Sequence, residues 1–336
     1  MMNSKCQLML HIAISIGAWL SIYLALSLLI YKEEKLTVSD FIETFSGISM
    51  LIHGVQRTAS LHFNKSKIRE LLELAANSFW SPDTIKLSPE VMEYAKRYHY
   101  RLKWVYRLFF VSCIFNTLEF CYRTFFVDED ILVIQYWKPD WMPFYPFWLF
   151  QVLVMNFGVM FPIICLDTLI MTILVLTQIQ FKLLSDELEN LFSSKNTRQS
   201  KENLAKVVKY HDFLISYIVL FNETFSGSLL SYMGIIVVSL CVEMYNLSSG
   251  ADFEVFLRAA FYVIAALFQF IVFYCIPAQN LKDEADNLRN SAYNSKWYIY
   301  KPEATPQIQL VICQGQREVI ITAGQVLDIN LSTSLS

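Results

Sequence analysis

The chain has 336 residues, of which 55% are hydrophobic, 15% aromatic and only 17% charged, with a mean hydropathy of +0.38. A soluble protein of this length does not normally carry several unbroken apolar runs of the kind that, at about 20 residues, span a bilayer as a helix. A formal net charge of −3 gives no reason to expect a nucleic-acid partner, so the lipid bilayer is the expected surrounding.

Apolar segments are predicted in chain order at 8–31, 40–63, 104–126, 147–181, 213–245, 255–279 and 308–336. The first, Leu8 to Tyr31, is too long for the apolar core of a signal peptide, and no small-residue cleavage pattern follows it, so it reads as a retained span. The second is more polar, with Glu43, His53, Gln56 and Arg57 among Phe41, Phe45, Ile48, Met50, Leu51, Ile52 and Val55. Such a segment belongs where its polar side faces protein or water. The fourth exceeds the bilayer thickness, so it must tilt or project, with Pro162 as the expected kink. The last is short, is broken by Gln314, Gln316, Arg317 and Glu318, and then the chain ends.

Between these segments, Ile68, Leu71, Leu72, Ala75 and Phe79 repeat with helical rhythm, as do Leu281, Ala285, Leu288 and Ala292. Leu184, Leu188 and Leu191 carry that rhythm past Lys182. Two of these three amphipathic pieces are acidic and would be repelled by anionic lipid, so they are expected to pack together rather than lie on the membrane. Residues 193–209 read as a short loop. The stretch 127–146 opens with Asp128-Glu129-Asp130 and then crowds Trp137, Pro139, Trp141, Pro143, Tyr145 and Pro146. It reads as an interfacial aromatic belt or as a lid over an outward-opening pocket.

The cations are unevenly placed. Nineteen of the 27 Lys and Arg residues lie in 65–107, 182–209 and 282–301, whereas 32–39, 123–138 and 246–258 hold five. Because cationic loops stay cytoplasmic, the N-terminus is expected inside and, with an odd number of spans, the C-terminus outside. That is the reverse of a G-protein-coupled receptor, whose Asp-Arg-Tyr and Asn-Pro-x-x-Tyr motifs are also missing. A transporter is disfavoured because no half of the chain repeats.

No nucleotide, metalloprotease or nucleophile-elbow motif occurs. The histidines His11, His53, His62, His99 and His211 have no ligand spacing, so neither catalysis, metal nor cofactor is expected. Cys113, Cys121, Cys165, Cys241 and Cys275 sit in apolar runs and are expected to be buried thiols. Among the carboxylates within spans, Glu43, Glu119, Asp167, Glu223 and Glu243, those near span ends reach water, which fits Glu43 and Glu243. Asp167 lies deep in the fourth segment, where a structural hydrogen bond and a pathway role both remain open. Glu119 and Arg123, four apart, are placed to neutralise each other.

Two stretches are more specific. Leu267–Trp297 reads as an aromatic span, a polar turn, an acidic amphipathic helix, Ala-Tyr and then Asn-Ser-Lys-Trp, and it resembles the sixth-segment signature of insect odorant receptors. Gln316-Arg317, Ile321-Thr322-Ala323-Gly324 and Asn330-Leu-Ser-Thr resemble the start of that family's seventh segment. Leu166-Asp167-Thr168-Leu169 and Gln180-Phe-Lys-Leu-Leu are similar to its fourth. The resemblance runs in order over nearly the whole chain and agrees with the charge ladder. It implies an all-α membrane protein, a seven-helix bundle of inverted topology, whose last helix is truncated here.

By the same resemblance the chain is a tuning subunit, with no enzyme activity. Such a subunit binds small volatile organic ligands and gates a non-selective cation channel in a hetero-tetramer with the odorant-receptor co-receptor, in the plasma membrane of olfactory sensory neurons. The co-receptor carries a long second cytoplasmic loop, and the short 193–209 stretch favours the tuning identity. The family's cytoplasmic anchor falls on 182–192 and 281–306. Its ligands bind among helices 2, 3, 4 and 6. Depth and helical phase there place Phe45, Ile48, Ser49, Phe115, Leu118, Glu119, Tyr122, Gln151, Met155, Tyr262 and Ala266 at the site. A mostly apolar pocket with a few hydroxyl or amide groups suits volatile molecules. Asn246 is the glycosylation candidate.

Two departures are expected to matter. The N-terminus begins close to the first span, and Ser336 falls near the start of the family's pore-lining helix. Roughly one span of about 20 residues is therefore expected to be missing, as in a fragment, an incomplete gene model or a non-conducting isoform. A gustatory-type chemoreceptor channel is the alternative within the same architecture, and the sixth-segment match favours the odorant class.

Overall fold

A computed structural model of the chain describes residues 16–27, 38–81, 89–126, 141–191, 197–248, 253–295, 297, 305–315 and 318–331. The helices are α1 (Ile16–Ser27), α2 (Val38–Phe63), α3 (Lys65–Ser78), α4 (Pro89–Phe126), α5 (Phe144–Leu153), α6 (Phe161–Asn190), α7 (Thr197–Ser248), α8 (Phe253–Phe270), α9 (Ile276–Asn294) and α10 (Thr305–Gln314). Two-residue strands β1 (Thr322–Ala323) and β2 (Leu327–Asp328) pair antiparallel. Among the described residues, the runs Phe144–Asn190, Glu202–Tyr245 and Ala259–Asn294 are long and apolar enough to cross a membrane.

The expected kink at Pro162 takes a different form. Val154–Met160 is π-helical and so joins α5 to α6 without a break, and Ile271–Cys275 joins α8 to α9 in the same way. Each wide segment ends two residues before a proline, Pro162 or Pro277. A proline ring removes one helical N–H and pushes on the carbonyl four residues back, which here is that of Gly158 or Phe273. The wider i→i+5 turn accommodates both effects while keeping the chain helical.

Contacts divide the chain into two compact units. The first comprises residues 1–63, 105–167 and 230–268, and the second 64–104, 168–229 and 269–336. In the first unit, Ile48 and Leu51 of α2 pack with Phe147, Val154, Met155, Val159 and Ile163 of the α5–α6 run, and with Ile22 and Ala25 of α1. Two glycines permit this. A Cβ on Gly54 would lie 2.5 Å from the Gly158 carbonyl oxygen and 2.7 Å from Val159 Cα, and one on Gly17 would meet Val154 Cγ2 at 3.3 Å. Lipid gives helices little hydrophobic reason to associate, so close approach over small residues supplies the packing.

In the second unit, the amphipathic rhythm is used for burial: Leu281, Ala285, Leu288 and Ala292 of α9 and Leu184, Leu188 and Leu191 are all buried, as are Ile68 and Leu71 of α3. Leu72 is exposed instead, because it lies off the stripe that Ile68 and Leu71 share. The Gln180 side chain caps the end of the α3 segment: Trp80 N–H donates to Gln180 Oε1 at 3.1 Å, and Gln180 Nε2 donates back to the Trp80 carbonyl at 3.3 Å. Tyr210 stacks on Trp80 at 3.9 Å and donates to Gln180 Oε1 at 2.7 Å. Tyr94 donates to Glu284 at 2.8 Å, and burial followed by the neighbouring carboxylate pushes its phenol well above the usual range.

Several expectations are corrected. Residues 308–336 are not a continuous helix: α10 ends at Gln314, and the Ile321–Gly324 motif forms a hairpin held against α7. Asn222 Nδ2 donates to the Ile320 carbonyl at 2.9 Å, while Thr322 N–H donates to Asn222 Oδ1 at 3.2 Å. Gly324 N–H donates to the Ser226 carbonyl at 2.9 Å and Gln325 N–H to Ser226 Oγ at 3.0 Å. The turn places Gly324 and Gln325 at φ 63° and 59°, the left-handed pair that a tight hairpin turn requires. The 193–209 loop is also shorter than expected, since α7 starts at Thr197. Cys241 and Cys313 are exposed, Cys165 is half-buried, and Cys275 is buried. An apolar run on a helix has an outward face too, so apolar neighbours do not guarantee burial. The first span outside 16–27, most of the 127–146 stretch and the segment 298–304 lie outside the described residues.

Candidate ligand site and the buried ion pair of the first unit

All the residues expected at the ligand site belong to the first unit. Ile48 and Met155 share its core, Ser49, Gln151 and Ala266 are buried, and Phe45 and Tyr262 are half-buried. Phe115 and Leu118 are corrections to the expected set. They are 65% and 59% exposed, whereas Thr117 between them is half-buried and its hydroxyl donates to Asn156 Oδ1 at 2.8 Å. Helical phase read from the span edge did not predict that exposure, and Thr117 marks a face of α4 that meets another helix. The side chains of Glu119, Tyr122, Arg123 and Asn246 lie outside the described residues.

Two serines, Ser46 and Ser239, and a carboxylate, Glu243, join this set without having been expected there. Ser46 Oγ donates to Glu243 Oε1 at 2.6 Å. One helical turn along, Ser49 Oγ is hydrogen-bonded to Ser239 Oγ. Ser239 donates its own hydrogen to the Ile235 carbonyl at 2.9 Å. Glu243, expected to reach water, is only 6% exposed. Proximity to the end of a span does not expose a side chain when another helix lies across it. The usable signal was spacing: Ser46 and Ser49 lie on one face of α2, and Ser239 and Glu243, four apart, on one face of α7.

Two turns further along the same antiparallel α2–α7 pair lies an ion pair. Arg57 Nη2 is 3.0 Å from Asp167 Oδ1, and both side chains are 0% exposed. The guanidinium lies 4.1 Å over the Tyr232 ring, and His53 stacks on the same ring at 5.1 Å. Arg57 Nε donates to His53 Nε2 at 3.1 Å, so that nitrogen is an acceptor and the ring proton sits on Nδ1. The aromatic face adds cation–π attraction to the charge pair. For Asp167 the structure shows a structural partner: its carboxylate is the counter-ion of Arg57, and it ties α6 to α2.

Apolar helical runs, close approach over glycines and a fully buried Arg57–Asp167 pair define an all-helical membrane protein. The chain belongs to the 7tm odorant receptor family, whose model matches residues 37–336. It is a family of receptors rather than enzymes. The chain is similar to odorant receptor 82a of Drosophila melanogaster, 25% identical over 160 residues that make up 47% of this chain and 41% of that relative. A longer match, 19% identical, covers 90% of this chain and 81% of odorant receptor 85b of Drosophila melanogaster. Its fold is similar to that of the insect olfactory receptor OR5 from Machilis hrabei in complex with eugenol. There the TM-score is 0.82 at 15% identity, over 98% of this chain and 86% of that one.

Proposed function

We propose that this chain is an odorant-receptor tuning subunit: it binds small volatile organic molecules in its first unit and gates a non-selective cation channel together with the odorant-receptor co-receptor. The observation that carries this reading is the family match over residues 37–336. That match takes in both the residues of the candidate ligand site and the α9–hairpin region. The solved relative in complex with eugenol supports a small organic ligand. The short interval between Asn190 and Thr197 supports the tuning rather than the co-receptor identity. We assign the ligand site to Phe45, Ile48, Ser49, Gln151, Met155, Tyr262 and Ala266, an apolar lining with three hydrogen-bonding groups. The stretches 182–192 and 281–306 are assigned to the cytoplasmic anchor.

The test is co-expression of the chain with a co-receptor, with an odour panel applied and cation current recorded. Ligand-dependent current is expected. Complete silence toward the panel, with the chain shown to be at the cell surface, would overturn the channel reading.

In this reading the protein is a multi-pass plasma-membrane subunit with a cytoplasmic N-terminus. Cationic stretches at 65–107, 182–209 and 282–301 support that orientation. Glycosylation mapping checks it. Asn246 in Asn-Leu-Ser is expected to gain a glycan that Asn246→Gln removes, whereas Asn64 in Asn-Lys-Ser is expected to remain bare. A glycan on Asn64 alone would reverse the orientation.

A further inference from the structure

We propose that the exposed face of α4 at Lys96–Arg107 binds the headgroups of anionic phospholipids, at the level where α4 leaves the bilayer. The inference goes beyond the ligand and channel reading and needs neither. From the proposed orientation it takes only the identity of the leaflet, the cytoplasmic one, which is the leaflet rich in anionic lipid.

The basis is one stripe of one helix. Lys96, Tyr100, Lys103, Arg107, Val111, Ile114 and Leu118 follow one another at steps of three or four residues along α4 and so share a face. All seven are exposed. The buried side of the same stretch is carried by Val91 and Leu102. The chemistry of the stripe changes within a single turn, from cations and a tyrosine up to Arg107 to aliphatic side chains from Val111 onward. Phe110 and Phe115 beside the aliphatic half are exposed as well. An exposed apolar face on a membrane helix is matched to acyl chains and a cationic one to the polar layer, so the edge of the hydrocarbon falls between Arg107 and Val111.

At 1.5 Å per residue, Lys103 lies about 6 Å from Arg107 along the helix, inside a headgroup layer of roughly 5–8 Å. Lys96 lies about 10 Å beyond Lys103, close to one Debye length. Tyr100 and Trp104, edge to face with ring centroids 6.1 Å apart, are exposed at the same level, where amphipathic rings settle among headgroups. Between Glu93 and Glu119 the sequence holds five Lys or Arg and no Asp or Glu. Arg97 pairs with Glu93 at 3.0 Å and Arg101 lies 5.5 Å over the Tyr98 ring, so Lys96, Lys103 and Arg107 carry the outward charge of the stripe. Their long stems let the charged ends reach a phosphate, which accepts charge-assisted hydrogen bonds. An acidic protein segment would match the cations alone. A phospholipid supplies an anion and then acyl chains, in the order in which the stripe presents their counterparts.

The test uses the full chain in detergent with dioctanoyl phosphatidylserine and dioctanoyl phosphatidylcholine as probes, and binding is read as lipid-dependent thermal stabilisation. Phosphatidylserine is expected to bind at least about tenfold more tightly, since each cation near an anionic surface contributes on the order of fivefold. That preference is expected to shrink as added salt screens the charges. Lys96→Gln, Lys103→Gln and Arg107→Gln together are expected to reduce it to less than about twofold while leaving the melting temperature in phosphatidylcholine unchanged, because the three side chains are exposed. Lys103→Gln alone, expected to cut the preference about two- to fivefold, serves should the triple variant fail to fold. Lys96→Arg with Lys103→Arg is expected to retain it. Equal binding of the two lipids overturns the inference, as does a preference that survives the folded glutamine variants. Stabilisation by soluble glycerophosphoserine at the concentration that suffices for the lipid would assign the face to a soluble phosphate, and a glutamate-rich peptide binding more tightly than phosphatidylserine would assign it to an acidic protein; either result overturns the proposal. Silence toward the odour panel, or a glycan on Asn64, would remove the channel or the orientation reading and leave this one standing.

Discussion

Arg57→Ala is expected to unfold the first unit or leave it trapped before the cell surface. Removing the guanidinium leaves the Asp167 carboxylate, 0% exposed, with its charge uncompensated inside a helical bundle. Breaking a buried pair from one side costs about 3–5 kcal/mol, a large share of the roughly 5–15 kcal/mol by which domains are stable. Loss of the stack between the guanidinium and Tyr232 adds to this. Asp167→Ala is expected to be as damaging, since it strands the arginine instead. The double variant Arg57→Met, Asp167→Leu is the informative control. It removes both charges, keeps the volume and is expected to recover most of the lost stability, because well-packed apolar replacements of buried pairs are often neutral or better. Thermal unfolding in detergent, followed by size-exclusion fluorescence, measures all four proteins. A single variant as stable as the parent would show that the pair does not hold α2 to α6.

The second large effect is expected at Gly54. A side chain there meets backbone at 2.5 and 2.7 Å, and backbone atoms on a packed helix have no rotamer through which to yield. Gly54→Ala must separate α2 from the π-helical segment, which also unpacks Ile48, Met155 and Val159. A cost at or above the usual overpacking range of about 1–3 kcal/mol is expected, and Gly54→Val should cost more. Gly227 and Gly234 make the contrast, for a Cβ at either meets nothing within 4 Å. Alanine at those two helix-interior positions is expected to be neutral or to stabilise by up to about 1 kcal/mol. Melting temperatures of the four single variants decide the point. A Gly54→Ala protein that melts with the Gly227→Ala protein would mean that the two helices are not in close contact there.

Much of the fold was legible because membrane helices announce themselves by composition. The long apolar runs, the amphipathic pieces and their buried stripes all follow from periodicity, and α9 buries the four residues its rhythm nominated. The candidate site was legible in part. Ile48, Ser49, Gln151, Met155 and Ala266 are interior, whereas Phe115 and Leu118 are not. An aromatic or leucine looks the same facing lipid as facing protein, so apolar phase carries little information in a bilayer. Polar residues carry more, and Thr117, Ser46 and Ser239 are the ones that mark inward faces.

What the sequence determined by itself is the class of the molecule: a chain of apolar helices with its cations gathered in three stretches, matching one receptor family in order. Local composition and spacing suffice for that. Only the tertiary structure decided which polar groups meet. Arg57 and Asp167 lie far apart along the chain, as do Ser46 and Glu243 and as do Asn222 and the hairpin at Ile320–Gln325. Each was readable as a polar residue in search of a partner. The choice of partner depends on helix order, crossing distance and rotation, which the glycine contact at Gly54 and the widened turns before Pro162 and Pro277 set, and no local pattern encodes those.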